Sequence, residues 1–533
     1  MRYIGLIAAF VATGVFAGLT FLAPRYFALF FIISGLFLTV GLRDLLQAEH
    51  ALLRNYPLLA HFRWLFEAIR PEIRQYLIES DTEAAPFSRE QRSQVYARAK
   101  GANDADPFGT ELDVYAEGHE WLAHSMAART PSETPPRVHI GGPDCSRPYS
   151  ASTLNISAMS FGSLSGNAIR ALNKGAAKGG FAHDTGEGSI SRHHKEYGGD
   201  LIWELGSGYF GCRAKDGSFD RAQFVDRASD DQVKMIEIKM SQGAKPGHGG
   251  VLPGRKVTQE IAEARGVPVG QTCVSPPYHT AFSTPIEMME FIADLREGSG
   301  GKPVGFKLCI GHGWQFMSLA KAMLKTGITP DFIVIDGAEG GTGAAPLELA
   351  DNVGTPLREG LVWAHNTLVG AGLRERIKIG ASGKITSGFR MASNMALGAD
   401  WCNSARGFMF AVGCVQSESC HTDRCPTGVA TQNPRRQRAI VVPEKAERVY
   451  HFHRATVAAM QEVVATVGLD HPAQLAPEHL CRRTRDSEIQ SADQVYRFLK
   501  TGELLVASAR RGRYEAAWAR AQAESFLPRS HAA

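Results

Sequence analysis

From about residue 150 onward, short apolar runs alternate with amphipathic stretches of helical period. The pattern predicts strands at Leu154–Met159, Met235–Met240, Val304–Ile310, Phe332–Asp336, Ile377–Ala381 and Trp401–Ser404, with helices at Gly166–Lys178, Trp314–Leu324, Arg358–Ala371 and Ser387–Leu397. Strand and helix in alternation argue for a parallel sheet, because parallel neighbours need a long crossover. Close to eight strands fit into about 270 residues, with glycine-rich loops after strand ends, which suits a closed (β/α)8 barrel with its active site on that face. A doubly wound sheet is the alternative.

The flanks read differently. An uncharged run covers Ile4 to Ala23, and a second apolar run covers Phe27 to Leu42 after Pro24-Arg25-Tyr26. The first has the length of about 20 residues that a membrane-spanning helix needs, and the second lies near the lower limit of about 17. A transmembrane helical hairpin over 1–44 is predicted. Arg2, Arg43 and Arg54 outside the turn, against Arg25 within it, favour both ends on the cytoplasmic side of the inner membrane. A cleaved signal peptide ranks second and a buried helical pair third. Residues 45–135 read as a charged, helical accessory region, with a further helix at Tyr115–Met126 and a proline-rich boundary at Thr130–Arg137. The barrel then occupies 136–432, and 433–533 is helical and charged, including Glu444–Val467 and Ser487–Phe498.

Of the 533 residues, 44% are hydrophobic and 21% charged, ordinary for globular material. A net charge of +4 without a basic, aromatic-interleaved face argues against nucleic-acid binding. Nine cysteines, mostly single, do not form the framework of a small secreted scaffold. Three of them, Cys414, Cys420 and Cys425, cluster after the last strand and end in Cys425-Pro426. Such spacing suits an iron-sulfur cluster, with a structural zinc as the second reading and inert thiols as the third.

The strand-end loops carry the remaining chemistry. Met159-Ser160-Phe161-Gly162-Ser163 is small enough for its backbone to approach a flat ring, although a turn capped by Ser165 needs the same residues. Asp184–Gly188 and Gln242–Gly250 place a carboxylate and Lys245 among glycines. Lys307 lies inside an apolar strand, where it needs a counter-charge or an anionic ligand. Asp336–Ala344 follows the sixth strand, Ser382-Gly383-Lys384 the seventh and Ser404-Ala405-Arg406-Gly407 the eighth. The last two positions are where such barrels commonly hold phosphate, so a mononucleotide such as FMN fits. Gly206-Ser207-Gly208-Tyr209-Phe210-Gly211 matches a dinucleotide fingerprint as a string but lacks the context of a buried strand opening into a helix.

Taken in order, Met159–Ser163, Thr185–Gly188, Gln242–Gly247, Gly340–Ala344 and Cys420–Pro426 resemble the FMN-binding synthase domain of glutamate synthase, in its stand-alone, membrane-tethered bacterial form. The resemblance implies an FMN barrel of the TIM type with a 3Fe-4S cluster on Cys414, Cys420 and Cys425. It implies Glu187 and Lys245 at the substrate pocket and Arg265 on a 2-oxoglutarate carboxylate. Met159, Ser160, Gly162, Gln242 and Lys307 would lie against the flavin, with Ser382, Gly383, Arg406 and Gly407 at its phosphate. The implied reaction is reductive amination of 2-oxoglutarate with ammonia to L-glutamate, fed by an external donor such as ferredoxin. The chain begins Met1-Arg2 rather than with an amidotransferase, so ammonia is expected free or from a separate glutaminase subunit. His183-Asp184 and the insert Ser191–Lys195 depart from the family pattern and leave another amino or imino acid substrate, or a non-catalytic electron relay, as alternatives.

Overall fold

The computed structural model describes residues 2–105, 107–485, 488–506 and 512–529. The chain divides into two compact units, Met1–Pro86 and Phe87–Ala533. In the first, helices Ile4–Leu22 and Pro24–Leu46 pack on each other, with the Phe16 and Phe30 rings stacked at 5.4 Å. Both are long and apolar enough to cross a membrane. The second is longer than its apolar run because Pro24 opens it at the first helical position, where its missing N–H costs nothing, and Arg25 is absorbed into the first turn. The hydroxyls of Thr13 and Thr20 donate back to the Ala9 and Phe16 carbonyls at 2.7 and 2.6 Å, which leaves no bare donor on an apolar helix.

In the second unit eight parallel strands close a barrel in chain order: β1 Leu154–Ile156, β2 His183–Asp184, β3 Leu201–Leu205, β4 Val233–Lys239, β5 Val304–Leu308, β6 Phe332–Asp336, β7 Lys378–Ser382 and β8 Trp401–Ser404. The ordinal positions assigned to the sixth, seventh and eighth strands hold. Helix Gly166–Gly179 starts where Ser165 accepts a hydrogen bond from the Ala168 amide, the expected cap.

Inward positions follow the two-residue period of a strand. Near the strand starts they are apolar: Ile202, Met235, Phe332, Val334 and Trp401 form one cluster with Ile140, Tyr149 and Ala151 of the hairpin Arg137–Ile140/Tyr149–Ser152, which closes that end. Gly380 leaves room for Trp401, whose ring would lie 2.6 Å from an added Cβ. Toward the strand ends the same rows become charged, at Glu204, Glu237, Lys239, Lys307 and Asp336. The apolar layers build the barrel and the charged layer faces its mouth.

Two predicted helices are corrected. Tyr115–Met126 contains instead the strand Glu120–Leu122, which pairs antiparallel with Leu480–Arg483, while the Glu120 carboxylate is taken up by Arg358. Ser487–Phe498 contains the strand Ile489–Ser491 and the single-turn helix Ala492–Val495, Ser487 itself lying outside the described residues. Both segments gain more from completing that three-stranded sheet than their weak helical periodicity supplies. The predicted helix Glu444–Val467 forms as Val442–Thr466 and packs on Gly166–Gly179. The loop Gly206–Gly211 does follow a buried strand, β3, contrary to expectation, but the next helix begins only at Arg221.

Candidate active site

A cleft opens at the C-terminal ends of the strands. Met159, Ser160, Glu187, Gln242, Lys245, Lys307, Ser382, Gly383, Arg406, Gly407 and Cys420 all line it, so most residues singled out in the sequence converge. Gly162 and Arg265 do not. Gly162 sits at φ +104°, where an added Cβ would stand 3.0 Å from Leu252, and its carbonyl accepts from Gln432 at 3.1 Å. Arg265, expected to hold a substrate carboxylate, lies behind the floor: its Nη2 donates to the Phe161 carbonyl at 3.2 Å and its guanidinium stands 5.0 Å from the Phe210 ring centre. Its position answers the charge of Glu187 and the face of an aromatic ring, rather than an opening to solvent.

Glu187 is the anion of a cationic nest. Lys239 pairs with it at 3.2 Å, and Arg265 and Lys245 add to the field. Burial pushes its carboxyl up, but these three cations outweigh burial and hold it below the ordinary value. Glycines make its seat: a Cβ at Gly250 would stand 1.9 Å from the Glu187 Oε1, and one at Gly206 3.0 Å from Oε2. Lys245, 3% exposed, forms no ion pair among the described residues, and burial lowers its ammonium pKa against the pull of Glu187.

Deeper in the barrel, one ammonium meets three carboxylates. Lys307 pairs with Glu204 and, at 3.0 Å, with Glu237, while Asp184, Glu204 and Glu237 offer oxygens within 4.8 Å of one another. The counter-charge that Lys307 requires is therefore built into the protein. Like charges so close cannot all ionise. Burial, then the Glu237 charge, pushes the Asp184 carboxyl well up, and burial raises Glu237 to about 7.

Along the eighth strand's exit, Arg406 donates to the Thr342 carbonyl at 3.0 Å and so ties the glycine-rich loop after β6 to the loop after β8. Lys384 takes a left-handed conformation, φ +47°, at the turn after β7. Beyond it lies the cysteine loop. Cys414 and Cys425 are buried, Cys420 borders the cleft, and Cys414 feels the charges of the other two. Burial pushes the Cys414 thiol up to about 11. For Cys425 burial acts the same way, but the amides of Ala430, Thr427 and Val429 and the Thr427 hydroxyl outweigh it and hold the thiol below its ordinary value. Lys256 spans cleft and loop, its Nζ donating to the Cys420 carbonyl at 3.0 Å.

The conserved region of glutamate synthase matches residues 142–470 of this chain. The chain belongs to the glutamate synthase family. A glutamate synthase large subunit-like protein of Bacillus subtilis (strain 168), YerD, is 37% identical over 501 residues, 86% of this chain and 95% of that one. An archaeal-type glutamate synthase [NADPH] of Thermotoga neapolitana is 34% identical over 315 residues, 59% of each chain. Among solved structures, mandelate oxidase with (S)-2-phenylpropionate aligns with 75% of this chain and 98% of that one at 14% identity and a TM-score of 0.42.

Several residues of this glutamate synthase family barrel escaped the sequence reading. Glu204 stands in a strand whose other residues are apolar, and Glu237 and Lys239 share one face of a largely apolar strand by the two-residue period; that periodicity was the available signal. Lys256 stood in an unremarked loop and carried no such signal.

The carboxyl cluster has a measurable consequence. Glu237 binds its proton more tightly folded, at about 7, than at the ordinary 4.5, so the native state holds more protons between those values and stability falls as pH rises through that window. Glu237→Gln is expected to remove this one-proton slope, read as the difference between variant and parent melting temperatures across the window. Parallel curves would contradict the assignment.

Proposed function

We propose that the cleft holds FMN and catalyses glutamate synthase-type reductive amination, converting 2-oxoglutarate and ammonia to L-glutamate, with Cys414, Cys420 and Cys425 holding a 3Fe-4S cluster. Lys245 carries the reading: a buried ammonium lining the cleft, without an ion-pair partner among the described residues, beside the ionised Glu187. Such a cation is costly until an anion joins it, and the oxo acid brings two carboxylates.

The residues suit both groups. Gly340, Gly341 and Gly343 keep the wall after β6 free of side chains, and Ser382, Gly383, Arg406 and Gly407 offer backbone donors and a guanidinium for a phosphate. Met159 and Ser160 would form the floor beneath a flat ring, with Gln242 and Lys307 at its edge. For the cluster, Gln416 N–H donates to the Cys414 sulfur at 3.4 Å, the hydrogen bonds around Cys425 hold its thiol below the ordinary value, and Lys256 adds positive charge. When bound, FMN supplies hydride transfer and the cluster single-electron delivery.

The chain's own part is orientation and proton handling. Lys245 would fix one carboxylate of the oxo acid, and Glu187, held ionised, would take a proton shed as ammonia adds to the carbonyl carbon. The balance is 2-oxoglutarate, ammonia, two electrons and two protons to glutamate and water. Electrons would come from an external donor such as ferredoxin, and ammonia from solution or a separate glutaminase subunit. The helical hairpin would hold the chain at the inner membrane with the barrel on the cytoplasmic side.

Anaerobically purified chain, reduced with dithionite, is expected to be reoxidised by 2-oxoglutarate plus ammonium, with glutamate formed in step. Reoxidation by a different oxo acid without glutamate would move the substrate. A preparation lacking flavin absorbance would end the proposal.

A further inference from the structure

Beyond the two apolar helices the first unit carries a third element with no buried side chain, the helix His61–Ile73. Phe62, Leu65, Phe66, Ile69 and Ile73 recur at helical spacing and share one face. Four of them are 38–60% exposed, and Ile73 is half-buried. On the α-helical wheel Arg63 and Arg70, seven residues apart, border that stripe. Arg74, exposed and paired at the surface with Glu79 at 3.0 Å, begins the π-helical turn that continues the element to Ile78. Two interface-type aromatics, Tyr56 and Tyr76, are 45 and 60% exposed on the flanking segments, while Trp64 lies on the opposite side of the helix against the His50 and His61 rings.

The start of this helix is pinned to the hairpin. Asp44, in the last turns of Pro24–Leu46, is 2% exposed and accepts from the Leu58 amide at 3.0 Å, and its Oδ2 lies 2.9 Å from the His61 Nε2. Arg2, ahead of the first helix, donates to Asn55 in the same segment. Both outer ends of the hairpin thus meet the chain that leads into the amphipathic helix. If the hairpin spans a bilayer, this helix begins at the level where hydrocarbon gives way to headgroups.

We infer that His61–Ile73 lies in the plane of the membrane surface, its apolar stripe sunk into the phospholipid interface and Arg63, Arg70 and Arg74 reaching headgroup phosphates. Apolar exposure of this kind is stable where lipid covers it, and arginine meets phosphate with paired donors. The hairpin then acts as the anchor and the helix as a lateral foot. The inference rests on the membrane-spanning reading of the hairpin and adds a second, separable contact with lipid.

The test uses the full chain reconstituted in phosphatidylcholine vesicles with brominated acyl chains. Of the seven tryptophans only Trp64 precedes residue 87, so Trp64→Phe gives a parent whose remaining emission subtracts out. On that parent, Phe66→Trp should emit to the blue and lose most of its emission when bromines lie near the headgroup, but little when they lie at the chain ends. Glu67→Trp, on the polar side, should lose little in either case. Phe16→Trp, in the first apolar helix, should be quenched by the deep bromines. Quenching at residue 16 with none at residue 66 would overturn the inference and leave the hairpin reading intact. No quenching at residue 16 would remove both. Emission at residue 66 that follows protein density instead of bromine would assign the face to a second copy of the chain and overturn it as well. Arg63→Glu/Arg70→Glu/Arg74→Glu should abolish the shallow quenching while sparing that of residue 16.

Discussion

Replacing Glu187 by glutamine is expected to lower the rate of the proposed reductive amination by about a hundredfold or more and to destabilise the barrel by about 3 kcal/mol. The carboxylate is paired with Lys239 at 3.2 Å and electrostatically coupled to Arg265 and Lys245, so its loss leaves three cations facing one another at the cleft wall. Its side chain is 17% exposed, which puts the stability cost at the low end of the range for breaking a buried pair. Charge and position are separable here. In Gly250→Ala the new Cβ would come within 1.9 Å of the Glu187 Oε1, so the carboxylate must move while its charge stays. That variant should lose activity with a smaller loss of stability. Urea unfolding beside single-turnover flavin reoxidation checks both; full activity in Glu187→Gln would remove this side chain from the mechanism.

How far these features were legible depended on what each residue type must do in a strand. A charge inside an apolar run, as at Lys307, announces itself, because a barrel interior has no water to solvate it. Glu237 and Lys239, inside the predicted strand Met235–Met240, carry the same message, because both fall on the inward face by the two-residue period. The two-residue strand His183–Asp184 is too short to show any period, yet a glycine loop after it revealed the turn. Arg265 marks the opposite limit. The family resemblance assigns it to a substrate carboxylate, but the direction of a long side chain at the end of the helix Gln259–Arg265 depends on Phe161, Phe210 and Glu187, which come from distant segments. The three cysteines were legible as a group from spacing alone; the donors that lower the Cys425 thiol come from the turn that follows and were not.

The second large effect is acid lability, and it comes from histidines outside the cleft chemistry. His183, His194, His279 and His453 are all buried, and burial is the largest cause of the lowered pKa in each: about 3 for His183 and His453, about 4 for His279, and well below the ordinary value for His194. In the unfolded chain each would take its proton near 6.5. Between 6.5 and the folded values the unfolded state therefore binds more protons, so stability is complete above about 6.5 and is lost as pH falls. Each pH unit costs about 1.4 kcal/mol for each histidine, so by pH 4.5 His183, His279 and His453 together cost up to about 8 kcal/mol, within the range of the whole stability of a typical domain, and His194 adds in the same direction. The raised carboxyls of Glu237, Asp184 and Asp336 work in the opposite direction over part of this range and offset part of that cost. His183 isolates the effect, because among the described residues neither ring nitrogen has a hydrogen-bond partner, and its ring lies 5.2 Å from that of His194. His183→Phe leaves no donor or acceptor orphaned. Relative to the parent it should gain about 2 kcal/mol on going from pH 7.5 to pH 5, read from urea midpoints at the two values. A constant difference between variant and parent would mean that His183 already carries its proton in the folded barrel, with water or a further group beside it.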